Sequence, residues 1–398
     1  MEENKNKILN VPTLRFPNYS GEWQVSPMGK VCTFHKGYGI SKDNLSNDGT
    51  PCILYGELYT TYKTAIARCI KSKTSLDPTT LFHSRKNDVI IPCSGETSED
   101  IATSVCIPYD DILLGGDLTV IRCDLDGAFL SNQINSVRKY DIARIAQGKS
   151  IVHLQADELK KIYIAYPTIE EQQKISGFID KIDELIEVQK KIISKYESLI
   201  KGISCDYFSK RPNHIAKLKD LIIKGKAGGT PSSMVAEYYN GDIPFLSISD
   251  MTKQGKYVEF TEKNISENGL ANSSAWIVPS NSLILSMYAS VGLVCINKVP
   301  LATSQAMFSM VLKECNMLDY IYYYLNFFRE TKIHRLLETG TQSNINADTV
   351  RYIEIPFYSN ILVFVKTLQT IENRLNNEKD MFSRLMDLKT YLLSSLFI

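Results

Sequence analysis

The chain has 398 residues, with 45 lysines and arginines against 44 aspartates and glutamates, and 44% of it is hydrophobic. That length exceeds the roughly 100–200 residues of one domain, and the composition excludes a largely disordered or collagen-like chain. The formal charge of +1 is mild evidence against a nucleic-acid binder, although local basic patches are compatible with neutrality. Nine scattered cysteines without a Cys-x-x-Cys pair fit reduced thiols. No apolar run reaches the roughly 18 residues that would span a bilayer, and the start, Met1 to Pro12, has no signal-peptide pattern. The expected location is cytoplasmic, with no membrane partner.

In chain order, residues 13 to about 168 read as a first globular half, with strand candidates at Pro51 to Tyr55, Asp88 to Pro92 and Leu118 to Arg122. Gly115-Gly116-Asp117 reads as a tight turn between strands. A helix-like stretch from Phe129 ends at Gly148, because glycine suits a helix C-terminus that needs a left-handed residue. From about Glu170 to Cys205 the pattern predicts a long helix. Its seam is Ile175, Phe178, Ile182, Leu185, Gln189, Ile192, Tyr196, Leu199 and Ile203, in alternating three- and four-residue steps.

Pro212 marks a boundary. The second half, 214 to about 360, has strand candidates at Ile243 to Ser247, Ser282 to Met287 and Ala306 to Leu312, then a helix-like stretch from Leu318 to Gly340. A second long helix is predicted from about Ile361 to Phe397, with the seam Phe364, Leu368, Ile371, Leu375, Glu378, Phe382, Leu385, Leu392 and Leu396. Gln189 and Glu378 are the matched polar members of the two seams.

Leu154-Gln155-Ala156-Asp157-Glu158-Leu159-Lys160-Lys161-Ile162 matches Ile345-Asn346-Ala347-Asp348-Thr349-Val350-Arg351-Tyr352-Ile353 at an offset of about 190 residues, so the chain is an internal repeat. The expected class is α+β: two mixed α/β domains, 1–168 and 212–360, with long helices 169–211 and 361–398 between and after them. A one-sided apolar stripe must pack on another helix, which predicts an antiparallel coiled coil; a helical hairpin inside a larger core is the other reading. A helix of roughly 36 residues reaches about 54 Å.

Reactive signatures are absent from the sequence. The histidines (His35, His83, His153, His214, His334) have no metal-ligand spacing, and there is no P-loop, no Gly-x-Ser-x-Gly elbow and no Asn-Pro-Pro-Tyr-like segment. Glu96, Glu99, Asp110 and Asp111 have no fixed partner. We therefore assign no catalytic or metal-binding residue and expect a protein that works by binding.

Lys217, Lys219, Lys224 and Lys226 lead into Ala227-Gly228-Gly229-Thr230-Pro231-Ser232-Ser233. Such a loop brings backbone N–H groups to a phosphate, or is a plain polar turn. Arg329, Lys332 and Arg335 precede Gly340, as Arg138, Lys139 and Arg144 precede Gly148. Charges of this kind are most often a solvated helix face, but their recurrence beside polar loops favours binding. Gln147, Lys149, Ser150, Gln342, Ser343 and Asn344 supply groups able to reach base edges. Tyr59, Tyr62 and Tyr288 either contact a partner or pack, and Tyr55 is read as packing.

The order of motifs resembles the specificity subunits of type I restriction-modification systems over nearly the whole chain. The resemblance is carried by Leu114-Gly115-Gly116-Asp117-Leu118, Phe129-Leu130-Ser131, Gly148-Lys149-Ser150 and, above all, Tyr166-Pro167-Thr168-Ile169-Glu170-Glu171-Gln172-Gln173-Lys174-Ile175. The second half carries Gly228-Gly229-Thr230-Pro231-Ser232, Asn240-Gly241-Asp242-Ile243-Pro244 and Ala302-Thr303-Ser304-Gln305, and departs from the pattern where Tyr358-Ser359-Asn360-Ile361 replaces the Glu-Gln.

The resemblance implies a non-catalytic subunit of a bacterial or archaeal cytoplasm. Each globular domain would read one half of a bipartite double-stranded DNA target, and two methyltransferase subunits would dock on the paired helices. No cofactor is expected on this chain; S-adenosylmethionine, ATP and Mg would serve the methyltransferase and restriction subunits. Two domains 34 Å or a multiple of it apart would face one side of a duplex. A coiled-coil scaffold that binds proteins rather than DNA is the alternative.

Overall fold

A computed structural model describes residues 10–148, 151–336 and 344–398, the side chain of Arg335 excepted. It divides into two compact units, Met1–Lys191 with Lys379–Ile398, and Ile192–Glu378. Each unit holds one globular half and a segment of each long helix.

The first unit contains strands β1 (Gln24–Pro27), β2 (Cys32–Lys36), β3 (Thr50–Ile53), β4 (Asp88–Pro92), β5 (Val105–Ile107), β6 (Leu113–Leu114) and β7 (Leu118–Cys123). Helices α1 (Gly127–Asn135) and α2 (Lys139–Ile145), strand β8 (Tyr163–Tyr166) and the start of α3 (Ile169–Phe208) follow. The main sheet has the antiparallel order β2-β7-β4-β5. It is buried on both faces: Val89 and Ile91 enter one core with Ile121 and Leu130, while Ile90 enters another with Val120 and Ile53. This is the two-residue alternation of a strand, with both faces covered. Asp88, buried at the head of β4, is neutralised by Arg122 through bonds of 2.8 and 3.0 Å.

The second unit repeats the plan with β9 (His214–Lys217), β10 (Ile222–Ala227), β11 (Ile243–Leu246), β12 (Tyr257–Val258), β13 (Leu283–Ser286), β14 (Val294–Asn297), β15 (Ala302–Thr303) and β16 (Met307–Leu312). Helix α4 (Leu318–Thr331), strand β17 (Glu354–Phe357) and the start of α5 (Ile361–Ser395) complete it. Its main sheet has the order β10-β16-β13-β14-β12. The terminal pair β9–β17 repeats β1–β8, and the parallel pair β11–β15 repeats β3–β6. Leu283 and Leu285 enter one core and Ile284 another, the same alternation as in β4.

Two expected helices are corrected. The stretch from Phe129 to Gly148 is broken into α1 and α2 at Ser136–Arg138, and α4 ends at Thr331 before a short 3-10 turn, Ile333–Arg335. Gly148 does not cap a helix, since Ala146 is already extended. Its φ is +140°, and its neighbour Gln147 exchanges backbone bonds of 2.9 and 2.7 Å with His153. Gly340 lies outside the described residues.

In the first unit the α3 segment runs antiparallel to the α5 segment. Arg15 grips Glu171 near the start of α3 with two 2.8 Å bonds while its neighbour Leu14 bonds Ser395 of α5, and farther along Asp183 pairs with Lys389. In the second unit Tyr207 stacks on Phe364 at 3.9 Å, which joins the end of its α3 segment to the start of its α5 segment. Ile175, Ile182 and Gln189 are buried, and Tyr196 and Ile203 are half-buried. The alternate line of the α3 seam is corrected by one residue: Ile179 and Ile186 are buried while Phe178, Leu185 and Leu199 are exposed. On α5, Leu392 is buried and Ile371, Glu378 and Leu385 are half-buried.

The two long helices begin differently. Glu171 and Gln172 are 1% and 2% exposed; the Gln172 amide accepts from the Asp126 N–H at 2.9 Å and donates to the Pro167 carbonyl at 2.9 Å. At the head of α5 the inward positions are Phe364 and Val365. That helix seats on an aromatic cluster that includes Phe208 and Tyr320, so the missing Glu-Gln is replaced by apolar burial.

Candidate nucleic-acid interface

In both units the edge strand of the main sheet ends in a glycine jammed against main chain. A Cβ on Gly37 would lie 2.2 Å from the Gly115 carbonyl oxygen, and one on Gly228 would lie 1.9 Å from that of Thr303. The hydrogen bonds match as well: Gly37 N–H donates to Leu118 O and Tyr38 N–H to Leu114 O, as Gly228 N–H does to Met307 O and Gly229 N–H to Thr303 O. Only glycine fits so close an approach. The same bonds correct one expectation, because the N–H groups of Gly228 and Gly229 point into the protein and offer nothing to a phosphate.

What this frame exposes are side chains. In the first unit the loop that begins at Gly37 presents Tyr38, Ser41 and Lys42 across a cleft of about 840 Å³ from Tyr55, Tyr59 and Asp117. Tyr55 is 36% exposed, a correction to its assignment as a packing residue, because it stands on the turn after β3 where it meets the cleft. Burial, with Tyr55, Glu96 and Asp100 nearby, raises the Tyr59 phenol above its ordinary pKa, so it remains a neutral hydroxyl. In the second unit the loop exposes Thr230 and Ser232, and the Thr230 hydroxyl donates to the side-chain oxygen of the exposed Gln305.

The remaining predicted residues do not form one surface. Lys224 lies with its ammonium 4.0 Å over the Trp276 ring, and Lys226 is exposed. At the corresponding places on β2 stand Thr33 and His35, so this basic approach is not repeated. Arg138 is corrected to a structural role: it donates to the Ile398 carbonyl at 2.8 Å and faces Asp141 at 3.6 Å. Arg144 lies over the exposed Tyr140 ring at 5.7 Å, and Gln147 is exposed. Arg329 is half-buried and packs beside Gly292, while Lys332 lies over the rings of Tyr324 and Phe327 beyond the end of α4. Asn344 is half-buried. Lys149, Ser150, Gln342 and Ser343 lie outside the described residues, as does the side chain of Arg335.

No residue of the first-unit loop is among the expected contacts, because the glycine loop is read in the second half alone. Carried back to the first strands, the repeat sets Gly37-Tyr38-Gly39 against Gly228-Gly229-Thr230. Among the described residues no group of three or more His, Cys, Asp or Glu could hold a metal ion, and no helix is long and apolar enough to cross a membrane.

Fold and site together define a duplicated protein of two mixed α/β modules, each with a glycine-pinned polar loop and each attached to long helices. The family model for the type I restriction modification DNA specificity domain matches twice, over residues 20–198 and 212–379, and the chain belongs to that family. Specificity subunits are non-catalytic components of the type I complex. The chain is 30% identical over 147 residues, 36% of its length, to the specificity subunit of the type I restriction enzyme MjaIX of Methanocaldococcus jannaschii. It is 31% identical over 186 residues, 45% of its length, to the HindI specificity subunit of Haemophilus influenzae. These matches span only 34% and 39% of the two relatives. In fold, the chain is similar to the S subunit of a type I restriction-modification system from M. genitalium, with a TM-score of 0.63, 15% identity, and 98% and 99% of the two chains covered.

Proposed function

We propose that this chain selects the DNA site for a type I restriction-modification complex. Each module, 1–168 and 212–360, reads one half of a split double-stranded target. The long helices set the spacing between the halves and carry two methyltransferase subunits, and restriction subunits join that assembly. S-adenosylmethionine, ATP and Mg act on those partners, in the cytoplasm of a bacterium or archaeon.

The observation that supports this reading is a conserved frame with unlike side chains: the two modules share strand order, glycine wedge and turn, yet expose Tyr38, Lys42 and Asp117 in one and Thr230, Ser232 and Gln305 in the other. Two readers of different half-sites need that combination, since position comes from the frame and choice of base from the exposed groups. Near-neutral charge is compatible with it, because partners that clamp the duplex share the phosphate contacts.

The test is to replace residues 214–360 with those of a relative, co-express the chain with its methyltransferase partner and map methylated adenines. We expect one half of the methylated sequence to change and the other to stay. An unsplit sequence, or a change in both halves, overturns the reading.

A further inference from the structure

We propose that the base-reading element of each module is the turn that the glycine wedge grips, with Asp117 as the reading group in the first module and Gln305 in the second. This rests on the DNA-reading assignment above and deepens it.

The two turns occupy the same place in the fold. Gly115-Gly116-Asp117 links β6 to β7, and Ser304-Gln305-Ala306 links β15 to β16. Each turn is held from one side by the parallel pairing of its first strand, Ile53 with Leu114 and Leu246 with Thr303, and from the other by the glycine loop. The turn in the first module is further pinned where the Cys93 N–H donates 2.7 Å to the Asp117 carbonyl. A side chain borne on so constrained a backbone is presented at a defined angle, which direct readout requires.

The chemistry of the two groups differs in a way that predicts what each selects. Asp117 is exposed, with a φ of +58°, and is in no ion pair among the described residues. A carboxylate only accepts hydrogen bonds, and in the major groove its match is the exocyclic amino group of cytosine. Gln305 both accepts and donates. Its side-chain oxygen already accepts from the Thr230 hydroxyl, which fixes the amide and leaves its NH2 group with no hydrogen-bond partner among the described residues. An amide so held pairs with adenine, donating to N7 and accepting from the N6 amino group. Tyr38 and Lys42, across the cleft from Asp117, are placed to bear on the adjoining backbone.

The test uses the full chain in complex with its methyltransferase partner and two isosteric variants, Asp117→Asn and Gln305→Glu. Asparagine tolerates a left-handed backbone as well as aspartate does, and glutamate still accepts from Thr230, so both variants keep the fold; unchanged melting curves verify it. Bound duplexes are selected from libraries randomised at each target position, and methylated sites are mapped in parallel. We expect Asp117→Asn to weaken discrimination by about tenfold or more at one cytosine-containing pair of one half-site. Gln305→Glu is expected to do the same at one adenine-containing pair of the other half-site. Each module is judged by its own variant: unchanged preference, or a change in the half-site that belongs to the other module, overturns the assignment for that module. An unsplit wild-type target instead overturns the underlying reading.

Discussion

Lys256, on the chain just before β12, shows how one side chain ties a module to its helix. Its ammonium is 2.8 Å from an Asp319 carboxylate oxygen, 2.7 Å from one of Glu372 and 2.9 Å from the Tyr323 hydroxyl, and the Tyr323 ring centre is 4.3 Å away. Burial alone would lower its pKa, but the combined charge and hydrogen bonds of Glu372 and Asp319 outweigh burial and raise it. Burial likewise pushes Asp319 up, and the bonds from Lys256, Gln369 and Tyr257 bring it below the ordinary carboxylate value. A lysine raised in the folded state stabilises fully below its unfolded pKa of about 10.4 and loses that contribution as pH rises through the folded value. A depressed aspartate stabilises above about 3.9 and loses its contribution as pH falls. Lys256→Met should cost about 3 kcal/mol at neutral pH, since it strands two carboxylates that are a fifth exposed. The wild-type advantage in urea midpoint should shrink both above about pH 10.4 and below about pH 3.9. A difference that stays undiminished beyond both limits would refute the account.

At the scale of the element, α3 shows why periodicity located a helix but misplaced part of its seam. Four of its steps offer two adjacent apolar residues: Phe178 with Ile179, Leu185 with Ile186, Ile192 with Ile193 and Leu199 with Ile200. Either member satisfies a three-and-four alternation, so spacing alone cannot choose between them. The partner chooses: Ile179 and Ile186 are 0% and 4% exposed in a core with Leu392 and Leu396, whereas Leu185 is 52% exposed. Ile179→Ala should therefore destabilise by roughly 2–4 kcal/mol, and Leu185→Ala by no more than about 0.5 kcal/mol, as read by chemical denaturation. Equal losses would show the seam to be misassigned. The same logic explains the unequal helix starts: Glu171 and Gln172 could be recognised as a motif, but that Phe364 and Val365 do their work at α5 was visible only once the aromatic cluster was assembled.

At the scale of the whole molecule, the two units have separate cores, one around Val89, Ile121 and Leu130 and another around Leu283, Phe308 and Tyr320. Separate cores predict two unfolding steps in calorimetry rather than one. Gly228→Ala, whose Cβ would overlap the Thr303 carbonyl, should cost about 1–3 kcal/mol and lower one step by roughly 5 °C while leaving the other in place. A single transition, or a shift of both, would contradict that partition.

Much was legible before any tertiary structure. The repeat, the two long helices, the strands Asp88–Pro92 and Leu118–Arg122 and the family likeness follow from composition, spacing and motif order, because these depend on which residues alternate along one chain. The interface was less so. Arg138 looked like a binding residue until its partner, 260 positions away at Ile398, was in place. Gly228 looked like a phosphate loop until its N–H was found turned inward. Gly37, Tyr38 and Asp117 come together only across strands far apart in the chain. The sequence by itself determined periodicity, duplication and the absence of reactive motifs, all of which are local properties. Tertiary structure alone decided which apolar residue faces a partner, which N–H is already used and which side chains share a cleft, because each depends on contacts between residues distant along the chain.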